Sequence, residues 1–219
     1  HEVQAQIKAG KLFKGKFRTS SYNYLEASVT INLNGEEMNV VIQGREHINR
    51  AINEDVVAIQ LLPKSEWKLK PELILDEDAI EEDKEHEDGV GGEEETKLKE
   101  TISDRPVGKV VSIIKRNWRS YCGVIKERHS SSTGVNFFFI PVDKRIPFVK
   151  IETRQYENLK GKKILVNVDC WPRDSKFPRG HYTRILGDAC DKNTETDVLL
   201  LEHNVPHMEF SAQVLNCLP

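Results

Sequence analysis

The sequence predicts an all-β fold made of two small Greek-key barrels, with short helices and a C-terminal helical tail. Two stretches, residues 11–62 and 109–186, share one order of elements. Each opens with a strand rich in Lys and Arg, passes through a turn that carries Phe, Tyr or Trp, and closes on an apolar strand. With 219 residues the chain is long enough for two such domains. The repeat therefore indicates two five-stranded barrels of the oligonucleotide-binding type.

The first barrel is predicted from alternating apolar runs and turn signals. Asn34-Gly35 is a strong hairpin signal, and it leads from one predicted strand into the next. A short helix is expected at residues 45–52. The strands are expected at residues 11–18, 25–33, 38–43 and 55–62, with a last strand at 67–75.

The second barrel repeats this plan with different spacings. A helical turn is expected at residues 154–159, and two helices at 195–202 and 210–218 form the tail. The strands are expected at residues 107–114, 121–126, 135–141, 163–171 and 180–186. The domains predicted are residues 8–75 and 105–190 for the barrels, 76–104 for a linker, and 191–219 for a segment that leads into a further domain.

The charge of the chain is unevenly distributed. Residues 76–95 hold twelve acids and one base, a net charge of −11. Because the whole chain carries −3, the remainder carries +8. High charge with few large apolar residues predicts a flexible linker. A second interpretation is that the acidic run mimics a polyanion and competes for a basic groove.

Composition excludes several classes of protein. No apolar run approaches the roughly 18 residues of a membrane span, and the N-terminal residues lack the apolar core of a signal peptide. The chain begins without Met, so we expect a fragment or a processed chain. The four cysteines form no CxxC pair, which leaves zinc and redox motifs unsupported.

Cations beside aromatic side chains are what a surface needs to bind single-stranded nucleic acid, because cations neutralise phosphates and rings stack on bases. The turn KRNWRSY is the densest such feature, and the first barrel has an equivalent set. The predicted contacts are Lys14, Lys16, Arg18, Tyr22, Tyr24, Lys115, Arg116, Trp118, Arg119 and Tyr121. Alternatively, Trp118 and Tyr121 cover one end of a barrel. Core positions are the default for Phe137, Phe138 and Phe139.

Signals for catalysis are weak. The chain has no Gly-rich phosphate loop, and His203 and His207 are separated by Pro206, which interrupts a regular helix. Metal-dependent phosphodiester cleavage needs several converging carboxylates, and only the acidic run is rich in them. The sequence therefore predicts no catalytic residue and no metal site in this chain.

Four long strings resemble the eukaryotic, exosome-type members of the RNase II/RNase R family: LLPKSEW, IIKRNWRSYCG, DKRIPFVKIETRQ and GHYTRILGD. The tail, TETDVLLLEHNVPHMEFSAQVLNCLP, is similar to the segment that enters the ribonuclease domain of that family. The resemblance covers residues 10–219. It implies two cold-shock domains that guide single-stranded RNA into a 3′→5′ exoribonuclease channel.

The resemblance also implies features outside these residues. A Mg²⁺-dependent ribonuclease domain would follow, so the parent protein would be a hydrolase while this chain holds no cofactor. The implied partners are single-stranded RNA and the ring subunits of the exosome. The implied location is the nucleus, including the nucleolus, with the cytoplasm as a second compartment. Two alternatives stay open: a platform that docks the nuclease on ring subunits or adaptors, and an independent single-stranded DNA-binding protein.

Overall fold

The structure is a computed structural model that describes residues 2–33, 35–69, 101–102, 105–130 and 134–205. The chain divides into two compact units. One comprises His1–Trp118 with Lys144–Pro147, and the other comprises Arg119–Asp143 with Phe148–Pro219. Each unit is built mainly of β-strands, which confirms the predicted fold class. The acidic run and the helix expected at 210–218 lie outside the described residues.

The first unit is a five-stranded antiparallel sheet. A helix that the sequence did not indicate, α1 (Glu2–Lys8), precedes the sheet. The remaining elements are β1 (Phe13–Thr19), β2 (Glu26–Leu33), β3 (Glu36–Gln43), α2 (Arg45–Ile48), β4 (Val56–Leu61), a 3-10 turn (Lys64–Glu66), β5 (Lys68–Leu69), β6 (Thr101–Ile102) and β7 (Gly108–Lys115). The strand order of the sheet is β3-β2-β1-β4-β7. A parallel bridge joins Val41 of β3 to Val107, the residue before β7.

The last strand of this sheet corrects the predicted strand assignment. Residues 107–114 were expected to open the second barrel, but β7 pairs antiparallel with β4, from Leu61 opposite Gly108 to Val56 opposite Lys115. Of the strand expected at 67–75, the described part, β5, pairs with β6; residues 70–75 lie outside the described residues. The pairing buries Val110 against Ile59 in the core. A long excursion between paired strands is tolerated because closure entropy grows only slowly with length.

This pairing changes the place of the acidic run in the fold. In chain order the run lies between β4 and β7, which are neighbouring strands of one sheet. The expectation that residues 76–104 connect the two barrels is therefore wrong. The run is an insertion within the first barrel.

The interior of the first unit follows the alternation of its strands. Phe17, Val29, Val40, Ile42 and Ile59 are fully buried and belong to one hydrophobic core. Burying each such side chain contributes about 1.5–3 kcal/mol. The hairpin predicted at Asn34-Gly35 is confirmed by the register, since Leu33 lies opposite Glu36.

A buried carboxylate, Asp55, closes the turn between α2 and β4. Its oxygens accept hydrogen bonds from the backbone N–H of Ile52 (3.1 Å) and of Asn117 (3.0 Å), and from Nη1 of Arg116 (2.8 Å). Nearby, Asn49 and Glu54 have φ of 47° and 78°, in the left-handed region that costs energy for most residues. Asp55 therefore fixes this turn to the end of β7.

The second unit is a closed five-stranded barrel. Its elements are β8 (Ser120–Ser130), β9 (Gly134–Pro141), β10 (Val149–Ile151), α3 (Tyr156–Leu159), β11 (Lys162–Cys170), β12 (Arg179–Asp188) and α4 (Lys192–Glu202). The strand order around the barrel is β9-β10-β12-β11-β8. Its interior is filled by Phe139, Val149, Ile164 and Val166. The strands expected from 121 onward and the helices expected at 154–159 and 195–202 are confirmed. The sequence did not indicate β10.

Helix α4 is capped at its start and attached to the second barrel at its end. At its start, Asp191 accepts the backbone N–H of Thr194 (2.9 Å), and this bond lowers the pKa of the Asp191 carboxyl. At its end, Glu202 accepts the backbone N–H of Cys122 (2.7 Å) and Nη2 of Arg119 (2.5 Å). The helix is therefore part of the second unit rather than a loose tail.

Replacing Arg116 with Ala should destabilise the first unit, because it leaves the Asp55 carboxylate buried without its cation. Removing one partner of a buried ion pair costs about 3–5 kcal/mol. The measurement is amide hydrogen exchange at Phe17, whose N–H donates to the Asp55 carbonyl. The matched control is the exposed neighbour Lys115→Ala, which should change stability by less than about 0.5 kcal/mol. Equal protection in both variants would contradict this role of Arg116.

Candidate nucleic-acid interface

Arg116 is engaged within the first unit, although 31 % of its side chain stays exposed. Its Nη1 donates to Asp55 and to the Arg50 carbonyl (2.6 Å). Burial lowers the pKa of the Arg116 guanidinium, and the hydrogen bond to Asp55 opposes that shift. The charge that was predicted to neutralise a phosphate instead neutralises a buried carboxylate.

Trp118 lies beneath the same arginine. The Arg116 Cζ is 4.5 Å from the centroid of the Trp118 ring, a cation–π contact. The ring is half-buried, and its buried Nε1 has no hydrogen-bond partner among the described residues. One face of the indole is already covered, so Trp118 is a poor platform for a base.

Arg119 and Tyr121 are engaged within the second unit. Arg119 pairs with Glu202 and lies 3.7 Å from Asp143. Its Cζ is 5.1 Å from the centroid of the Tyr121 ring, and only 2 % of Tyr121 is exposed. The stacking role predicted for Tyr121 is therefore wrong. Of the contacts predicted in this turn, only Lys115 is exposed.

The predicted residues of the first barrel are more accessible. Lys14, Lys16 and Arg18 alternate along β1 and are exposed, although Lys16 forms an ion pair with Glu54. Tyr22, in the turn after β1, is 78 % exposed. Tyr24 packs on the core, and its hydroxyl accepts from Arg45 (3.3 Å). Tyr22 is therefore the better stacking candidate of the two.

The outer surface of the second barrel carries a row of side chains that the sequence analysis missed. Lys126 on β8 lies opposite Phe138 on β9, which lies opposite Lys150 on β10, which in turn lies opposite Arg179 on β12. Phe138 precedes the buried Phe139, so strand alternation directs it outward. Neighbouring strands are about 4.8 Å apart, so the row is about 14 Å wide, with Lys126 and Lys150 on either side of the ring and Arg179 one strand beyond Lys150. We call these four residues the outer row.

Two more aromatic rings support the outer row. Phe177 is buried, and its ring centroid is 5.2 Å from that of Phe138, edge to face, and 6.2 Å from that of Phe148. Phe138 and Phe148 stay partly exposed. Packing against Phe177 fixes both rings, which reduces the conformational entropy lost when a base stacks on them.

The signal for this row was present in the sequence. In the string NFFFIP, alternation requires one phenylalanine to face away from its two neighbours. Residues 149–151 of β10, VKI, also place one lysine between two core residues. Only the pairing of β9 with β10 and of β10 with β12 shows that these side chains adjoin one another.

Other kinds of site find no support in the described part of the chain. Among the residues that the structure describes, no group of three or more His, Cys, Asp or Glu is arranged to hold a metal ion. No helix within the described ranges is long and apolar enough to cross a membrane. His203 lies just past α4, and His207 lies outside the described residues.

The chain matches two family models. Residues 1–119 match the Rrp44-like cold shock domain, and residues 136–204 match the Dis3-like cold-shock domain 2. The first of these ranges includes β7, in agreement with the strand pairing.

Curated relatives match over the full chain. It is 48 % identical to the human "Exosome complex exonuclease RRP44" and 40 % identical to the Arabidopsis thaliana "Exosome complex exonuclease RRP44 homolog A", and 100 % of this chain is covered in both. The chain spans only 23 % and 25 % of those proteins.

Solved structures share the fold at low identity. The yeast pseudonuclease Ssd1 superposes with a TM-score of 0.67 at 21 % identity, over 98 % of this chain and 30 % of that one. The apo form of Mycoplasma genitalium RNase R gives a TM-score of 0.59 at 14 % identity, over 94 % of this chain and 27 % of that one.

Cys122 provides a test of the contact between α4 and the second barrel. Burial and the neighbouring Glu202 raise the pKa of the Cys122 thiol to about 12, so at pH 8 only about one thiol in ten thousand is the reactive thiolate. Exposed Cys170 should therefore be alkylated at least about a hundredfold faster than Cys122.

Glu202→Gln should reduce the difference in alkylation rate between Cys170 and Cys122. It removes the negative charge that raises the pKa of the Cys122 thiol and that pairs with Arg119. The measurement is the alkylation rate of each cysteine by peptide mass spectrometry at pH 8. The matched control is Glu195→Gln on the same helix, which removes a different ion pair, the one with Lys163 of β11. If Cys122 reacts as fast as Cys170 in the unmodified chain, α4 does not cover it.

Proposed function

Because this chain belongs to the Rrp44-like family of cold-shock-domain proteins, we propose that it binds single-stranded RNA and guides it toward a 3′→5′ exoribonuclease domain. The observation that supports the proposal is the outer row of the second barrel, where Lys126 and Lys150 flank Phe138 and Arg179 lies beside Lys150. A cold-shock family match makes RNA the expected ligand of such a surface.

Each group in the outer row has a role in this proposal. The cations neutralise phosphates, which gives affinity without base specificity. Phe138, held edge to face by Phe177, offers a ring to an unpaired base, and such stacking is worth about 1–3 kcal/mol per base. Exposed Tyr22 and Arg18 would supply a second contact of the same kind on the first barrel.

The catalytic step is proposed to take place outside these residues. The relatives are named exonucleases and are about four times as long as this chain. The parent protein would hydrolyse RNA with Mg²⁺ bound by a domain that this chain does not contain. Because the relatives are named for the exosome complex, the parent is proposed to work in such a complex, with its ring subunits as partners and the nucleus as its location.

Phe138→Ala and Lys150→Gln should each weaken binding to a single-stranded RNA of about 20 nucleotides, long enough to cover one or two barrels. Removing the ring should cost about 1–3 kcal/mol, roughly a five- to 150-fold rise in Kd. Removing the cation should instead reduce the slope of log affinity against log salt by about 0.7. Fluorescence anisotropy at several salt concentrations measures both effects.

Lys192→Gln, an exposed lysine at the start of α4, is the matched control and should change affinity less than Lys150→Gln. Circular dichroism should show that the Phe138 variant keeps its fold. Equal affinities for the Phe138 variant and the unmodified chain would contradict the assignment of the outer row. A salt slope near zero would contradict RNA binding by phosphate neutralisation.

A further inference from the structure

Two neighbouring polar side chains lie on the outside of the second barrel, beyond the outer row. Asn167 of β11 lies directly opposite His181 of β12, and side chains opposite each other on antiparallel strands have Cβ atoms about 4.5–5.5 Å apart. Asn167 lies between the buried Val166 and Val168, so strand alternation directs it away from the core, and His181 with it. We call Asn167 and His181 the polar pair.

Asp169 determines which nitrogen of His181 carries the proton. Both carboxylate oxygens of Asp169 lie 2.9 Å from Nδ1 of His181. Because a carboxylate only accepts hydrogen bonds, Nδ1 is the donor, and in the neutral imidazole the other nitrogen, Nε2, is then an acceptor. The His181 side chain is 57 % exposed. His181 therefore offers a hydrogen-bond acceptor to a ligand from solvent.

Ser120 orients the amide of Asn167 in a comparable way. Ser120 of β8 lies opposite Asn167, and its hydroxyl donates to Oδ1 of Asn167 at 2.6 Å. The amide oxygen is thus engaged, and the Nδ2 group remains as a donor. Within the described ranges, neither Nδ2 of Asn167 nor Nε2 of His181 has a hydrogen-bond partner. The polar pair therefore offers one oriented donor beside one oriented acceptor.

The polar pair adjoins the cations of the outer row. His181 follows Arg179 by two residues on β12, and both are exposed. Residues two apart on one face of a strand are separated by about 6.7 Å. Arg179 in turn lies opposite Lys150. A phosphate bound by either cation would therefore bring its sugar next to the polar pair.

A ribose 2′-hydroxyl matches the polar pair in chemistry and in position. It is both a donor and an acceptor, so it can accept from Nδ2 of Asn167 and donate to Nε2 of His181. The ribose carbon that carries it is bonded to the carbon that carries the 3′-phosphate, so it stays close to a phosphate on the outer row. A base edge also has donors and acceptors, but the base projects from the other side of the sugar. The neighbouring cations therefore favour the sugar as the group that is bound.

We propose that Asn167 and His181 bind a ribose 2′-hydroxyl and so make the second barrel prefer RNA to DNA. Ser120 and Asp169 are positioning residues, which hold the amide and the imidazole in the orientations that these bonds need. The inference rests on the proposed binding of single-stranded RNA by the outer row and adds discrimination between sugars to it. The cations alone cannot supply this discrimination, because RNA and DNA carry the same phosphates.

Oligonucleotides that differ only in the sugar test this contact. The whole chain should bind an oligouridine of about 20 nucleotides more tightly than the matching oligodeoxyuridine, by about two- to tenfold for each hydrogen bond to the 2′-hydroxyl. Asn167→Ala and His181→Phe, which keeps an aromatic ring, should each weaken binding to oligouridine by about that factor and lower the ratio of the two affinities. Fluorescence anisotropy at one fixed salt concentration measures the affinity of each variant for each oligonucleotide.

Arg179→Gln is the matched control on the same strand. It should weaken binding to both oligonucleotides and keep the ratio of the two affinities, because the lost contact is to phosphate. Ser120→Ala acts only through Asn167 in this proposal. It should lower the ratio in the unmodified chain, and it should lower it no further when added to Asn167→Ala.

Three results would overturn the inference while the proposed function stands. The first is equal affinity of the unmodified chain for the two sugars. The second is a ratio that neither Asn167→Ala nor His181→Phe changes. The third is a ratio seen with uracil but lost with oligoadenosine and oligodeoxyadenosine, which would indicate that the polar pair reads a base edge. Failure of oligouridine to bind even at low salt would contradict the proposed function, and this inference with it.

Discussion

The first barrel depends on one buried carboxylate. The carboxylate of Asp55 accepts a hydrogen bond from the backbone N–H of Ile52 in its own turn. Beyond the end of β7, the backbone N–H of Asn117 and the guanidinium of Arg116 also donate to it. It thus joins β4 to a strand that follows it only after a long insertion. Arg116 supplies the compensating charge, without which a buried carboxylate would be costly. The same ion pair engages the Arg116 guanidinium within the first unit, which makes it less available to a phosphate.

The sequence could predict the two barrels because alternation and turn signals are local. The Asn34-Gly35 hairpin and the apolar strand β4 depend on neighbours in sequence. Local signals could not show which barrel β7 belongs to, because an alternating apolar strand beside a basic turn fits either barrel equally well. Only the long-range contacts of Val110 with the first core, and of Asn117 with Asp55, decide it.

The sequence could predict the exposure of only some of the proposed contacts. Lys14, Arg18 and Tyr22 are exposed as expected. The turn at residues 115–121, which is densest in cations and aromatic rings, instead makes contacts within the protein. Arginines beside aromatic rings can form cation–π contacts and ion pairs inside a fold as well as contacts with a ligand. Arg116 covers Trp118, and Arg119 pairs with Glu202. The outer row escaped prediction since its members come from four strands whose order only the fold reveals.

The central claim is that RNA contacts the outer row of the second barrel rather than the turn at residues 115–121. The most direct measurement is a ¹H–¹⁵N NMR titration of the whole chain with single-stranded RNA. We expect the largest amide shifts at Phe138, Lys150 and Arg179, with Asn117 and Tyr121 nearly unchanged. Large shifts at Asn117 and Tyr121 with none along the outer row would contradict the account.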